Sequence, residues 1–157
     1  MASVTVSKSF DAPPDRVFEV ITDLRSAPQR ITTIKKLEVL TDGPIGMGTR
    51  FKETRIMFGR EAAETMEITQ WDPPRSYTVE ANACGSHYLS TFTVRPDGRG
   101  STVELTFNAT PTSFVSKLLM VPLGWMMKGM CHKMVEKDLD DLKRFMEGEP
   151  ASVQAAV

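Results

Sequence analysis

Residues that could do chemistry are few and unevenly placed in this chain. Glu53 and Arg55 alternate with Phe51 and Met57, and Glu64 falls in the same alternate row as Met66. If these stretches are strands, one face carries all three charged groups beside apolar neighbours. Buried charges are costly unless paired, so such a group would anchor the polar head of a ligand or move protons. A bulge between Phe51 and Arg60, or a place near an open rim, would instead leave the three charges in water. His87 and Tyr88 are further candidates for acid-base work, although His87 also reads as a strand-edge residue. Cys84-Gly-Ser-His87 has ligand-like spacing, and Cys131-His132 could complete four ligands. Adjacent helix residues diverge by about a hundred degrees, however, so no metal site is expected. No Gly-x-Ser-x-Gly motif occurs, and Gly43-Pro-Ile-Gly-Met-Gly48 lacks the spacing and following helix of a dinucleotide loop. No nucleophile is identified, and no cofactor is expected.

The elements that must position these groups are legible from periodicity. Ser3 to Phe10 alternates apolar and polar residues as a half-buried strand does. Asp11-Ala-Pro-Pro ends it, and Val17, Phe18, Ile21 and Leu24 follow at helical spacing, which predicts a helix over 13–24. Pro28 could open a second short helix. From Lys36 the period becomes two, and strands are expected near 36–39, 49–58, 61–71, 76–83, 86–95 and 101–109. Asp72-Pro-Pro-Arg75 and Pro96-Asp-Gly-Arg-Gly100 supply the sharp turns. The last third returns to helical spacing through Leu118, Trp125, Met126, Met130, Met134, Leu139, Leu142 and Phe145. Pro122 and Gly124 should break it into a short piece from about 113 and a long helix over about 123–146. A loose tail is expected over 148–157.

Composition narrows the function classes. The 157 residues fit one domain, placed at 1–147. Lys and Arg number 19 against 20 Asp and Glu, which leaves no electrostatic footprint for nucleic acid. The opening MASVTVSKSF lacks a charged leader with an apolar core, and the longest apolar stretch, Leu118 to Met127, is too short to span a bilayer. A cytoplasmic protein with two reduced cysteines is expected. Oligomeric state is not readable.

Alternation places Met66, Ile68, Tyr77, Val79, Ala81 and Ala83 on one inner face, with Tyr88, Ser90, Phe92 and Val94, then Val103, Leu105 and Phe107. Small residues such as Ala81, Ala83 and Ser90 leave room. The final helix offers Trp125, Met126, Met127, Met130 and Met134, whose thioethers adapt to varied ligands or simply fill a core. Met57, Met66, Tyr77, Ala81, Tyr88, Ser90, Phe92, Trp125, Met126, Met130 and Met134 are therefore the candidate ligand-binding residues, with Glu53, Arg55 and Glu64 as a polar group.

Four segments in order resemble one family. FDAPPDRVFEVITDL is similar to the strand-to-helix opening of the START-related (SRPBCC) superfamily, which includes the polyketide cyclase/dehydrase and lipid-transport family. GPIGMGTRF resembles its approach to the third strand, EITQWDPPRSYTVEA its central turn and DLDDLKRFMEG the end of its long helix, covering about 3–147. Many members carry a tryptophan soon after the first helix, where this chain has Ser26 to Ile31 without an aromatic. The resemblance implies an α+β helix-grip fold: a curved seven-stranded antiparallel sheet around a long C-terminal helix, with two short helices after the first strand and a pocket between sheet and helix. It implies no single reaction. The expected function is binding of a hydrophobic small molecule (lipid, quinone or polyketide-like) as carrier or sensor. The alternative is a polyketide cyclase, aromatase or dehydratase using Tyr88, His87 or the Glu53, Arg55 and Glu64 group. Transient membrane contact through Leu118 to Met127 could accompany the first.

Overall fold

The computed structural model describes residues 2–57, 59–83 and 85–147, with the side chains at 2, 57, 116, 119–125 and 127 outside that description. The expected tail over 148–157 also lies outside the described residues. In chain order the elements are β1 (Ala2–Phe10), α1 (Pro14–Ile21), a single 3-10 turn at Leu24–Ser26, α2 (Ala27–Arg30), β2 (Ile34–Val39), β3 (Arg50–Met57), β4 (Arg60–Asp72), β5 (Ser76–Ala83), β6 (Ser86–Asp97), β7 (Gly100–Pro111) and α3 (Phe114–Met146). The strands form one curved antiparallel sheet in the order β1-β7-β6-β5-β4-β3-β2. This is the helix-grip architecture that the sequence implies. Strands β2 to β7 form a plain meander, so only β1 must cross the sheet, and the short helical segment makes that crossing.

Local chemistry explains the joints. Pro13 is extended and Pro14 opens α1, where its missing N–H costs nothing. Thr22 closes α1 by donating its hydroxyl to the Phe18 carbonyl at 2.7 Å. Arg30 then ties three segments together: it pairs with Asp23 at 3.1 Å, donates to the Val20 carbonyl at 3.2 Å and lies 4.1 Å above the Phe145 ring of α3. At the β6–β7 hairpin Gly98 takes φ +62°, a left-handed value that a glycine adopts without strain. Gly100 follows, where an added Cβ would sit 2.3 Å from the Phe10 carbonyl of β1.

The core joins β1, α1, the sheet centre and the second half of α3 through Val6, Val17, Ile68, Val103, Leu139 and Leu142, all buried. One feature differs from the sequence expectations and a second was not foreseen. Helix α3 runs unbroken through Pro122 and Gly124, because proline removes one hydrogen bond while the turns on either side keep theirs. In β4 the register shifts between Ile68 and Gln70, so a bulge inserts one residue. Beyond it Trp71, not Gln70, takes the inner face opposite Tyr77.

Ile68 is fully buried just before that bulge. Ile68→Ala is expected to cost about 2–5 kcal/mol, the range for truncating a buried aliphatic side chain. Urea unfolding would check this, and a loss under about 1 kcal/mol would show that the site collapses around the smaller side chain.

Candidate functional site

A cavity of about 170 Å³ lies between the concave face of the sheet and α3. Its lining is mostly apolar. Ile21, Leu24, Ala27 and Ile31 come from the helical segment, Ile34 and Leu37 from β2, and Met134, Val135, Leu139 and Leu142 from α3. Further along β4 an aromatic cluster stiffens the wall. Trp71 meets Phe18 edge-on at 5.3 Å, and Tyr77 stacks on Phe92 at 4.6 Å. The Tyr77 hydroxyl donates to the Ile21 carbonyl at 3.1 Å, and burial, with Glu53 nearby, pushes its pKa far upward. Tyr77 is thus a neutral structural bridge between sheet and α1.

One patch of the lining is polar. Strands β3 and β4 pair without interruption from Arg50↔Glu67 to Met57↔Arg60, so no bulge turns the charges outward. Glu53 faces Glu64 directly across the strands, and Arg55 faces Ala62, whose small side chain leaves room for the guanidinium. Arg55 donates from Nε to Glu53 at 2.7 Å and from Nη1 to Asp138 of α3 at 2.9 Å. These three side chains are only 11–14% exposed. Thr33 completes the group by donating its hydroxyl to Asp138 at 3.1 Å.

The electrostatics follow from this crowding. Burial opposes the Arg55 charge, but the combined pull of Glu53 and Asp138 outweighs it and raises the guanidinium pKa beyond its ordinary value. Desolvation raises the Asp138 carboxyl against the opposing pull of Arg55. Glu64 is raised as well, first by desolvation and then by Glu53, with Arg55 opposing. Among the described residues Glu64 makes no hydrogen bond or ion pair. It is a half-buried carboxyl facing an apolar space.

Of the candidate residues, Met66, Tyr77, Ala81, Tyr88, Ser90 and Phe92 line the cavity, as do Met134, Glu53, Arg55 and Glu64. Met126 and Met130 do not: they are 59% and 38% exposed, because this part of α3 stands clear of the sheet. The side chains of Met57 and Trp125 lie outside the described residues. His87 takes the face opposite to Tyr88 and Ser90, with Nε2 3.6 Å from Glu80, which leaves it outside the lining. Cys84 is not described, Cys131 is half-buried, and His132 pairs with Glu136 at 3.7 Å on the surface. Asp138 was hidden in the acidic run EKDLDD, which reads as a solvated face. Its spacing gave a signal: it falls four residues after Met134 and four before Leu142, on an otherwise apolar ridge.

The first half of α3 has a different character. Phe114, Val115 and Leu118 are 80%, 64% and 65% exposed. Among the described residues no helix is long and apolar enough to cross a membrane.

Comparison with known proteins gives a family and a fold. Residues 1–147 match the family model described as polyketide cyclase/dehydrase and lipid transport. No match was found among curated proteins. A Thermus thermophilus protein has a similar structure, with 22% identity, a TM-score of 0.78 and coverage of 93% of this chain and 97% of that one. A START superfamily protein from Mycobacterium smegmatis superposes with a TM-score of 0.78 at 14% identity, covering 94% and 99%. The Zhui aromatase/cyclase of a Streptomyces species gives 0.77 at 16% identity, covering 92% and 93%. Likeness at these identities establishes the fold alone.

The Glu64 shift has a sign that can be measured. Its folded pKa lies above the ordinary 4.5, so the carboxyl favours the fold while protonated, and that contribution is lost as pH rises through the folded pKa. Glu64→Gln is expected to melt above the wild type at neutral pH, with the gap closing as pH falls through the folded pKa toward 4.5 and absent below it. Thermal unfolding of both proteins over this span checks it; a gap that ignores pH would place the carboxyl in bulk solvent.

Proposed function

Because the chain belongs to the polyketide cyclase/dehydrase and lipid transport family, we propose that it binds a hydrophobic small molecule between the sheet and α3, as a carrier or sensor. The ligand is lipid, quinone or polyketide-like. The carrying observation is the cavity itself, which is apolar around most of its wall and polar at one patch. An apolar body gains from leaving water there, and a single polar patch fixes which way it lies. Met66 and Met134 provide deformable contacts, while Tyr77 and Phe92 provide a rigid wall.

A second reading is favoured by one residue. Glu64, unpaired and raised in pKa, has the properties of a general acid, so the same cavity could promote cyclisation and dehydration of a polyketide-like substrate. Native mass spectrometry of the freshly purified protein, with solvent extraction of its bound molecule, separates the two. A carrier retains the same molecule in wild type and Glu64→Gln, and loses it in Ser90→Trp, where the indole fills the cavity. A dehydrating cyclase retains in Glu64→Gln a molecule heavier by one water. A protein that emerges empty, with probes of the cavity also failing to bind, would remove both readings.

Loading is proposed to occur at a lipid surface. Phe114, Val115 and Leu118 form an exposed apolar group at the start of α3. The 114–134 stretch carries Lys117, Lys128 and Lys133 and no acidic residue, which suits anionic headgroups. Flotation with anionic vesicles is expected to carry the protein upward, and Leu118→Glu to abolish this; equal behaviour of the two proteins would rule the contact out.

A further inference from the structure

We infer that the polar patch of this cavity is built for a cation: the ligand is an apolar molecule that ends in a protonated amine. This rests on the cavity-binding reading above and narrows its lipid class to amines, setting quinones aside.

The inference comes from a charge count inside the lining. Among the described residues, four ionisable side chains other than tyrosines line the cavity: Glu53 and Arg55 on β3, Glu64 on β4 and Asp138 on α3. One guanidinium therefore faces three carboxyl groups. Both of its short contacts are taken, Nε by Glu53 at 2.7 Å and Nη1 by Asp138 at 2.9 Å. Its Nη2 group takes part in neither pair and can still donate a hydrogen bond, but two carboxylates already outweigh the charge behind it. A carboxylate or phosphate head would meet like charge in a poorly hydrated space with no cation left to pair.

Glu64 supplies the opposite case. It has no hydrogen bond or ion pair among the described residues and faces Glu53 across the strand pair. Like charges placed opposite each other on neighbouring strands repel. A ligand ammonium beside Glu64 would relieve that repulsion and replace the water the carboxyl loses on burial. The molecule as a whole provides no comparable pull, because its formal net charge is only −1. Discrimination by head group must therefore come from this patch.

Three probes with one ring system and different heads test this: 2-naphthylmethylamine, 2-naphthylmethanol and 2-naphthoate, titrated calorimetrically at neutral pH. The amine is expected to bind tightest and the naphthoate weakest. Glu64→Gln is expected to weaken the amine about tenfold, the value of one charge-assisted contact, and to leave the alcohol within roughly twofold. An alcohol or naphthoate that binds the wild type as tightly as the amine would overturn the cationic assignment, and so would an amine indifferent to Glu64→Gln. Failure of all three probes, or binding that Ser90→Trp does not block, would instead remove the cavity reading and this inference with it.

Discussion

The Arg55 guanidinium, held between Glu53 of its own strand and Asp138 of the last helix, is the contact on which the rest of the structure depends. Inside the cavity it joins sheet and helix through charge, as Lys8 of β1 and Asp140 of α3 do nearer the surface. Packing alone would favour closing that interface, since apolar side chains gain by touching. A guanidinium bridge fixes a separation instead, because its partners must stay at hydrogen-bond distance. Taking away one member of such a group leaves a buried charge unpaired, a loss of about 3–5 kcal/mol. The helix is thus positioned by a bond with direction, and the space beside that bond persists as the cavity.

The aromatic wall depends on a second device. One inserted residue in β4 turns Trp71 inward, where it meets Phe18 and Tyr77. Tyr77 then reaches the end of α1 through its hydroxyl, so the helical segment that spans the sheet is anchored from the sheet side. Arg30 anchors the same segment from the α3 side through Phe145. Asp141 adds a further tie, accepting from the backbone N–H and hydroxyl of Thr32 at 3.0 and 2.9 Å. The cavity wall is therefore rigid on the aromatic side.

How far the sequence foretold this depends on the range of the interaction. Alternation in β3 to β7 is a local property, and it placed Glu53, Arg55, Glu64, Tyr88 and Ser90 on the lining face. The family motifs added the topology, which no periodicity carries. Three things were hidden. The bulge at 68–70 has no local signature in Ile68-Thr-Gln-Trp71, so Trp71 read as the end of a strand and was given no place on the inner face. Asp138 looked solvated because its partner lies 83 residues away. The unbroken α3 defeated a sound local rule, since a proline inside a helix removes a bond without deciding whether its neighbours keep theirs. For Asp138 the deciding contact lies outside the window in which a sequence can be read.

The imbalance at the polar patch bears on function more than its presence does. A fold that needed only a bridge between sheet and helix could satisfy one guanidinium with one carboxylate, and charge balance would be the least costly arrangement. Here three carboxyls converge on one cation, and the third has no partner among the described residues. Sites that depart from local economy without a structural return are where function is expected. Glu64 makes no hydrogen bond or ion pair among the described residues, so its cost in desolvation is only partly offset inside the chain, by the pull of Arg55. The complement it lacks is a donor with positive charge, presented by whatever occupies the apolar space in front of it.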